Sequence, residues 1–469
     1  MRAENSIRKM LGYSIILILA IFQGLIIYID PKTALLIPAA IGVVLIMHKP
    51  YIGLLSLLLL HPFAINASEA IDIPKVAYYI IMGLTLLGWL LRREKSRLGT
   101  AFRLIFWPVM ALGLVVLLSL LPATLYGVPF EAWLRSASTT AGIFLIFPAA
   151  EFLSNHKIRS SFFNVLMLVI WLSSLGTGYL LARNRGFVSY TGWLLLKDRA
   201  LLGGNLAISL MGAYLGLTFI IYGKTSRDSA VMMTAWPIAT ITALLSIAGL
   251  IWSGFLSVLI LGLAGMPILL LARPWGVRLK RLAGLLFLCM IIVSYIVLNH
   301  SALFSSEFAR AGSLVFEKMG LIRTEGLWSN PSWLGRWYEA KAAILALRDS
   351  PIWGYGFGYE GFKSGYTDIP GEFYVHSIIP ELLIRIGILG FGIFTWYLWS
   401  TFKLLYKAYK ISEEPGSKIF LLGGIAWFIA VLAVSQVSSL WDDRGFALML
   451  GILSGLAVAT RKAQHNRLK

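Results

Sequence analysis

The sequence predicts an all-α polytopic membrane protein with about fourteen transmembrane helices (12–14) and one long polar segment before the last three. Three observations predict this class. The 469 residues are 58% hydrophobic and only 13% charged, with a mean hydropathy of +0.78, more apolar surface than a soluble domain of this length needs. The apolar runs are continuous and close to span length, unlike the short alternating segments of a β-barrel. Basic residues flank those runs, as at loop ends that face an anionic leaflet. The formal net charge of +19 therefore reads as membrane topology, and nucleic acid is not an expected partner. Cys289 is the single cysteine and lies in an apolar run, so neither an intramolecular disulfide nor a cysteine-based zinc site is possible.

Taken in order, the first run, Leu11 to Ile29, follows Arg2, Arg8 and Lys9 and superficially resembles a signal peptide. Asp30-Pro31-Lys32 is not a small-residue cleavage site, so a retained helix is expected. Further spans are expected near 33–47, 51–67, 74–91, 104–122, 136–153, 161–182, 204–222, 230–250, 251–272, 282–298, 377–400, 419–436 and 446–460. Pro38 and His61-Pro62 interrupt the second and third. The stretch 230–272 is too long for one crossing and divides around Trp252-Ser253-Gly254.

Charge then orients the chain. With the N-terminus inside, the inner loops collect Arg92, Arg93, Lys95, Arg97 and Arg103, then Arg273 to Arg281, Lys403 to Lys418 and Arg461 to Lys469. Both termini come out cytoplasmic and the polar stretch exoplasmic. The organisation expected is N-terminal transmembrane helices over 1–298, an exoplasmic (periplasmic) segment of short helices over 299–376 and C-terminal transmembrane helices over 377–469, together forming one integral membrane domain. Two outer intervals keep cations against the positive-inside tendency. One holds Arg183, Arg185, Lys197 and Arg199; the other includes Arg310, Lys318, Arg323, Arg336, Lys341, Arg348, Lys363 and Arg385. Such cations point to an anionic ligand, although Glu307, Glu317, Glu325, Glu339, Asp349 and Glu360 balance most of the second set.

Within the polar stretch, Ser329-Asn330-Pro331-Ser332 turns the chain into a helix with apolar positions at 337, 340, 344 and 347. Arg336 is expected in its first turn, where free backbone N–H groups also attract an anion. Its guanidinium suits phosphate, or it pairs with Glu339 or Glu325. Gly354-Tyr355-Gly356-Phe357-Gly358 lacks the strand–turn–helix context of a nucleotide loop and reads as a tight interfacial turn. His376 opens the next apolar run, at a depth where an imidazole can take a proton from a hydroxyl or simply bond to backbone. Glu381 and Arg385 follow within that run, spaced i, i+4, as ionisable residues that face a bundle interior or neutralise each other. Asp442-Asp443-Arg444 reads as a solvated turn, with no metal site expected.

Arg336-Trp337, the intervening helix, Ser350-Pro351-Ile352-Trp353-Gly354-Tyr355-Gly356-Phe357-Gly358, then His376-Ser377 and Gly387-Ile388-Leu389-Gly390 resemble, in order and spacing, the bacterial O-antigen ligase and polymerase superfamily over roughly residues 330–395. Arg199 with Leu202-Gly203-Gly204-Asn205 is similar to an upstream family motif. One departure is Ser253-Gly254-Phe255, where many members carry an arginine after the serine. The resemblance implies a GT-C-like, inverting glycosyltransferase of the bacterial inner membrane that uses neither cofactor, metal nor nucleotide sugar. Its implied donor is a glycan on undecaprenyl diphosphate, and its implied acceptor a lipid A-core sugar at the periplasmic face. In that scheme Arg199, Arg336, Arg310 and Arg385 hold the diphosphate, His376 and Arg336 are catalytic, and Glu381 and Asn205 support the acceptor or the structure. A polymerase with a lipid-linked repeat as acceptor shares donor and motifs. A lipid-linked glycan flippase also suits the span count, but no internal repeat is visible.

Overall fold

Apolar runs become helices because a bilayer offers a backbone N–H or C=O no partner outside its own chain. The computed structural model describes residues 36–64, 73–92, 100–183, 206–222, 236–252, 260–272, 331–359, 375–437 and 444–467. Among these every regular element is helical and no strand occurs. In chain order they are α1 (Leu36–His48), α2 (Pro50–Ala64), α3 (Ile73–Arg92), α4 (Thr100–Leu118), α5 (Leu120–Leu125), α6 (Phe130–Ala137), α7 (Ile146–Phe152), α8 (His156–Arg183), α9 (Leu206–Tyr222), α10 (Trp236–Trp252), α11 (Met266–Leu271), α12 (Pro331–Ala346), α13 (Ile378–Ile411), α14 (Pro415–Val434) and α15 (Arg444–Arg467).

Among the described residues six helical stretches are long and apolar enough to cross a membrane: Lys75–Arg92, Phe102–Leu125, His156–Leu175, Ile378–Ile411, Pro415–Val434 and Gly445–Gln464. Shorter apolar helices accompany them, such as Leu206–Tyr222; at 1.5 Å per residue a helix of that size falls short of a ~30 Å core. The expected count of about fourteen is thus not confirmed, and the spans expected at 11–29 and 282–298 lie outside the described residues. The span expected at 136–153 is not one α-helix. It is α6, a 3-10 stretch over Ser138–Leu145 and α7. The hydroxyls of Ser138, Thr139 and Thr140 each bond back to the carbonyl three residues earlier, Arg135, Ser136 and Ala137. Consecutive hydroxyls that compete for backbone carbonyls in this way disfavour a regular α-helix.

α9, α14 and α15 are almost wholly buried and form the centre of the bundle. Between lipid-immersed helices burial of apolar surface gives little drive, so close backbone approach has to hold them together. Small residues four apart supply it. A Cβ on Gly455 of α15 would come within 2.9 Å of the Ala150 nitrogen, and one on Gly451 would strike the Gly142 carbonyl. On α9, Gly216 lies equally close to α10, where a Cβ would sit 2.7 Å from the Ala243 nitrogen. Trp427 of α14 donates its indole N–H to the Ala207 carbonyl at 2.8 Å, which ties α14 to α9.

Contacts sort the helix ends into two groups. At one end Arg92 meets His48, Trp89 donates to Glu151 at 2.7 Å, and Arg159 and His156 pair with Glu414. Lys403, Lys410 and Lys418 stack over Trp399, Tyr406 and Tyr409 there. At the other end α5, α6, the 350–359 turn and the beginning of α13 meet, and the Ile378 N–H donates to the Ser435 carbonyl at 2.9 Å. The first end holds the loops that charge assigns to the cytoplasm, and the second those it assigns outside.

The α15 interface is testable. Gly451→Val adds atoms where backbone already touches backbone, an overpacking that costs roughly 1–3 kcal/mol. Its thermal midpoint in detergent is expected to fall well below that of Gly83→Val, where a Cβ meets nothing within 4 Å.

Candidate active site

The site is built around a break in α13. Gly387 has φ 65° and ψ −175°, a conformation essentially confined to glycine, so the helix stops and restarts there. The break frees carbonyls before it and N–H groups after it, and each would cost several kcal/mol if left bare in an apolar layer. The turn after α12 meets them. The N–H groups of Tyr355 and Gly356 donate to the Ile384 and Arg385 carbonyls at 2.7 and 2.9 Å. Those of Ile388 and Leu389 donate to the Pro351 and Ile352 carbonyls at 2.9 and 3.3 Å. Gly354, at φ 69°, lies against the break itself, where a Cβ would sit 2.6 Å from the Gly387 nitrogen.

Short local bonds hold the turn rigid. The Ser350 hydroxyl donates to the Gly354 carbonyl at 2.7 Å, and the Tyr355 phenol to the Ala346 carbonyl at 2.8 Å. Tyr355 stacks on Tyr359 with ring centroids 4.3 Å apart, and Tyr126 of the α5–α6 link closes on it at 4.5 Å. Burial pushes the Tyr355 phenol up from 10.0 to about 12, helped by the Asp349 carboxylate. Its neutral form is therefore the folded form. The stability this contributes is complete below pH 10 and is lost as pH rises toward about 12.

α12 forms as expected, with two differences. It begins at Pro331, a residue suited to the first helical position, so Arg336 lies in the second turn and not the first. The predicted apolar stripe splits: Trp337 and Ile344 are 61% and 57% exposed, whereas Leu347 is buried. The inward face carries Arg336, Glu339, Ala343 and Ala346, spaced three or four apart. Its small alanines let α12 approach Tyr355 and Ile384, whereas the bulky residues suit headgroup depth.

That inward face delivers Glu339 to His376, which immediately precedes Ser377 and the start of α13. Glu339 Oε2 lies 2.8 Å from His376 Nδ1 and also accepts the His376 backbone N–H at 3.3 Å. Glu339 is 16% exposed and His376 35%. The sequence presented Glu339 as a salt-bridge option for Arg336, and its contact with His376, 37 positions on, was not anticipated. Its only sequence signal was a carboxylate one turn beyond Arg336. Through Glu339 the structure brings Arg336 and His376 to the same end of the same helix pair.

Glu381 and Arg385 lie in the last turns of α13 before the break. Their side chains are 3% and 15% exposed and form an ion pair of 2.8 Å, the neutralising alternative read from their spacing. The Arg385 guanidinium also lies 6.0 Å over the Phe357 ring, so the pair is fastened to the same turn. Arg199, Asn205 and Arg310 lie outside the described residues, as do Ser253-Gly254-Phe255 and Asp442-Asp443.

Residues 241–395 match the O-antigen ligase family. The match runs from α10 through α12 and the glycine turn to the break in α13, so it encloses Arg336, Glu339, His376, Glu381 and Arg385. It supports the O-antigen ligase superfamily resemblance carried by residues 330–395, and with it a membrane enzyme of glycosyltransferase type. No curated protein matches the chain.

The break offers a direct test. Gly387→Ala places a Cβ against the Ile352 carbonyl in a conformation that costs of order 1–3 kcal/mol. Its unfolding midpoint in detergent is expected to drop accordingly, whereas Gly392→Ala, with open space on the same helix, holds or gains stability.

Proposed function

We propose that the protein is an O-antigen ligase-like, inverting glycosyltransferase of the bacterial inner membrane. It transfers a glycan from undecaprenyl diphosphate to a hydroxyl of a lipid A-core sugar at the periplasmic face, without a metal ion. The observation that carries this reading is the inward face of α12, which sets a cation, Arg336, one turn from the carboxylate that touches His376, inside the family-matched segment. The end of the bundle that holds this face is opposite the end where Lys403, Lys410, Lys418 and Arg92 gather, and lysine-rich ends belong on the cytoplasmic side.

Each residue then has a defined task. The acceptor oxygen attacks the anomeric carbon from the side opposite the diphosphate, the sugar–phosphate bond breaks, and its electron pair leaves with undecaprenyl diphosphate. Arg336, together with Arg199 and Arg310, balances the charge that grows on the leaving diphosphate. Arg385 shares this duty with its charge already half answered by Glu381, so its larger effect is on where the ligand sits. His376 accepts the acceptor proton. Glu381 and Asn205 support the acceptor side and the site's framework.

Purified protein supplied with a lipid-linked donor tests the scheme. His376→Ala and Arg336→Ala are each expected to lower transfer by about 100-fold or more, the scale on which a proton acceptor or a charge-stabilising group acts. Near-normal rates in either variant remove that residue from the mechanism. Label arriving on lipid A-core identifies a ligase; a ladder of growing polymer identifies a polymerase instead.

A further inference from the structure

We infer that Glu339 is the positioning residue of His376: its carboxylate holds the imidazole in the tautomer protonated at Nδ1, so that the lone pair stands on Nε2 for the acceptor hydroxyl. The role of Nε2 rests on the transferase reading above, but the tautomer is a property of the protein alone. An ionised carboxylate only accepts hydrogen bonds, so a neutral ring facing it at 2.8 Å carries its proton on Nδ1. Free histidine prefers the opposite tautomer, with the proton on Nε2.

The grip has two points. The same Oε2 that faces the ring also accepts the His376 backbone N–H at 3.3 Å, so the ring cannot rotate without weakening a contact that also fixes the entry into α13. Glu339 is itself held. It lies on the inward face of α12, a turn before Ala343, and Ala343 packs with Tyr355, Val375 and Ile384. The immediate neighbour of His376 in sequence is thus clamped by the same turn that closes the helix break.

The chemistry balances without a further reagent. As the acceptor O–H breaks, its oxygen bonds to the anomeric carbon and its proton moves to Nε2. The sugar–phosphate bond breaks and its electrons leave with the lipid diphosphate. The ring is then a cation with both nitrogens protonated, and Glu339 supplies the adjacent negative charge until the Nε2 proton returns to water.

The tautomer can be read directly. The chain has six histidines, so full-length protein labelled with 15N-histidine in lipid nanodiscs gives few signals, and His376 is assigned by its disappearance in His376→Gln. Wild type is expected to show the Nδ1–H tautomer and Glu339→Ala to shift toward Nε2–H. With the lipid-linked donor, Glu339→Ala is expected to lose about 100-fold in kcat with the donor KM changed less than about threefold, and Glu339→Asp to recover part of that loss. Glu339→Gln keeps the shape and an acceptor oxygen, and serves if the alanine variant does not fold. It is expected to keep the Nδ1–H tautomer and lose about tenfold in kcat, because only the charge is gone. An Nε2–H or doubly protonated ring in wild type, or an unchanged tautomer in Glu339→Ala, overturns the inference. An Nδ1–H ring in wild type that shifts in Glu339→Ala, while wild type transfers nothing to any acceptor, supports the positioning and sinks the transferase reading.

Discussion

A helix interrupted within an apolar layer has to find partners for the backbone groups it frees, and this requirement shapes the site more than any single side chain. At Gly387 the helix of residues 378–411 gives up its internal bonding, and the segment 351–356 takes it over with four backbone bonds, two to carbonyls before the break and two from N–H groups after it. The arrangement is an exchange of ladders between two pieces of chain whose bonded residues are 29 or 37 positions apart. It explains why the turn is dense in glycine. Gly354 has to lie against the break, Gly356 against Ala123 and Gly358 against Ala132, and in each place a Cβ would occupy backbone space.

Fastening the turn to the break also fixes what stands on either side of it. Upstream, α12 is pulled inward until its alanine face meets Tyr355, and Arg336 and Glu339 come with it. Downstream, Ser377 starts a new helix and His376 is left at its mouth. The buried Glu381–Arg385 pair sits between them, where an unpaired partner would leave an uncompensated charge and cost several kcal/mol. The site is thus assembled from backbone geometry first. Its ionisable groups occupy positions the backbone has already made rigid, as the proposed proton transfer from the acceptor hydroxyl to His376 requires.

Much of this was legible in the chain. The helical class, the start of the broken helix after Ser377 and the helix carrying Arg336 all follow from hydropathy and spacing. So does the pairing of Glu381 with Arg385. The face of α12 was not legible, because bulk and burial part company there: Trp337 and Ile344 turn outward and small alanines turn in. Nor was the partner of Glu339, since a contact across 37 positions leaves no local pattern. One expected span also has a different build from the one hydropathy suggests. Hydropathy reads 136–153 as one crossing, while three consecutive hydroxyls that bond back to their own carbonyls make it a composite. The glycine run was recognisable as a turn, but its task of completing another helix depends on tertiary pairing.

The central claim, that the 351–356 segment completes the broken helix and so holds the site together, is tested most directly by amide hydrogen exchange on the purified protein in nanodiscs. The N–H groups of Tyr355, Gly356, Ile388 and Leu389 are expected to exchange slowly and with one common rate, because opening either strand of the exchange frees the other. Fast exchange at Tyr355 and Gly356, at rates of an open loop and independent of Ile388 and Leu389, would contradict the account.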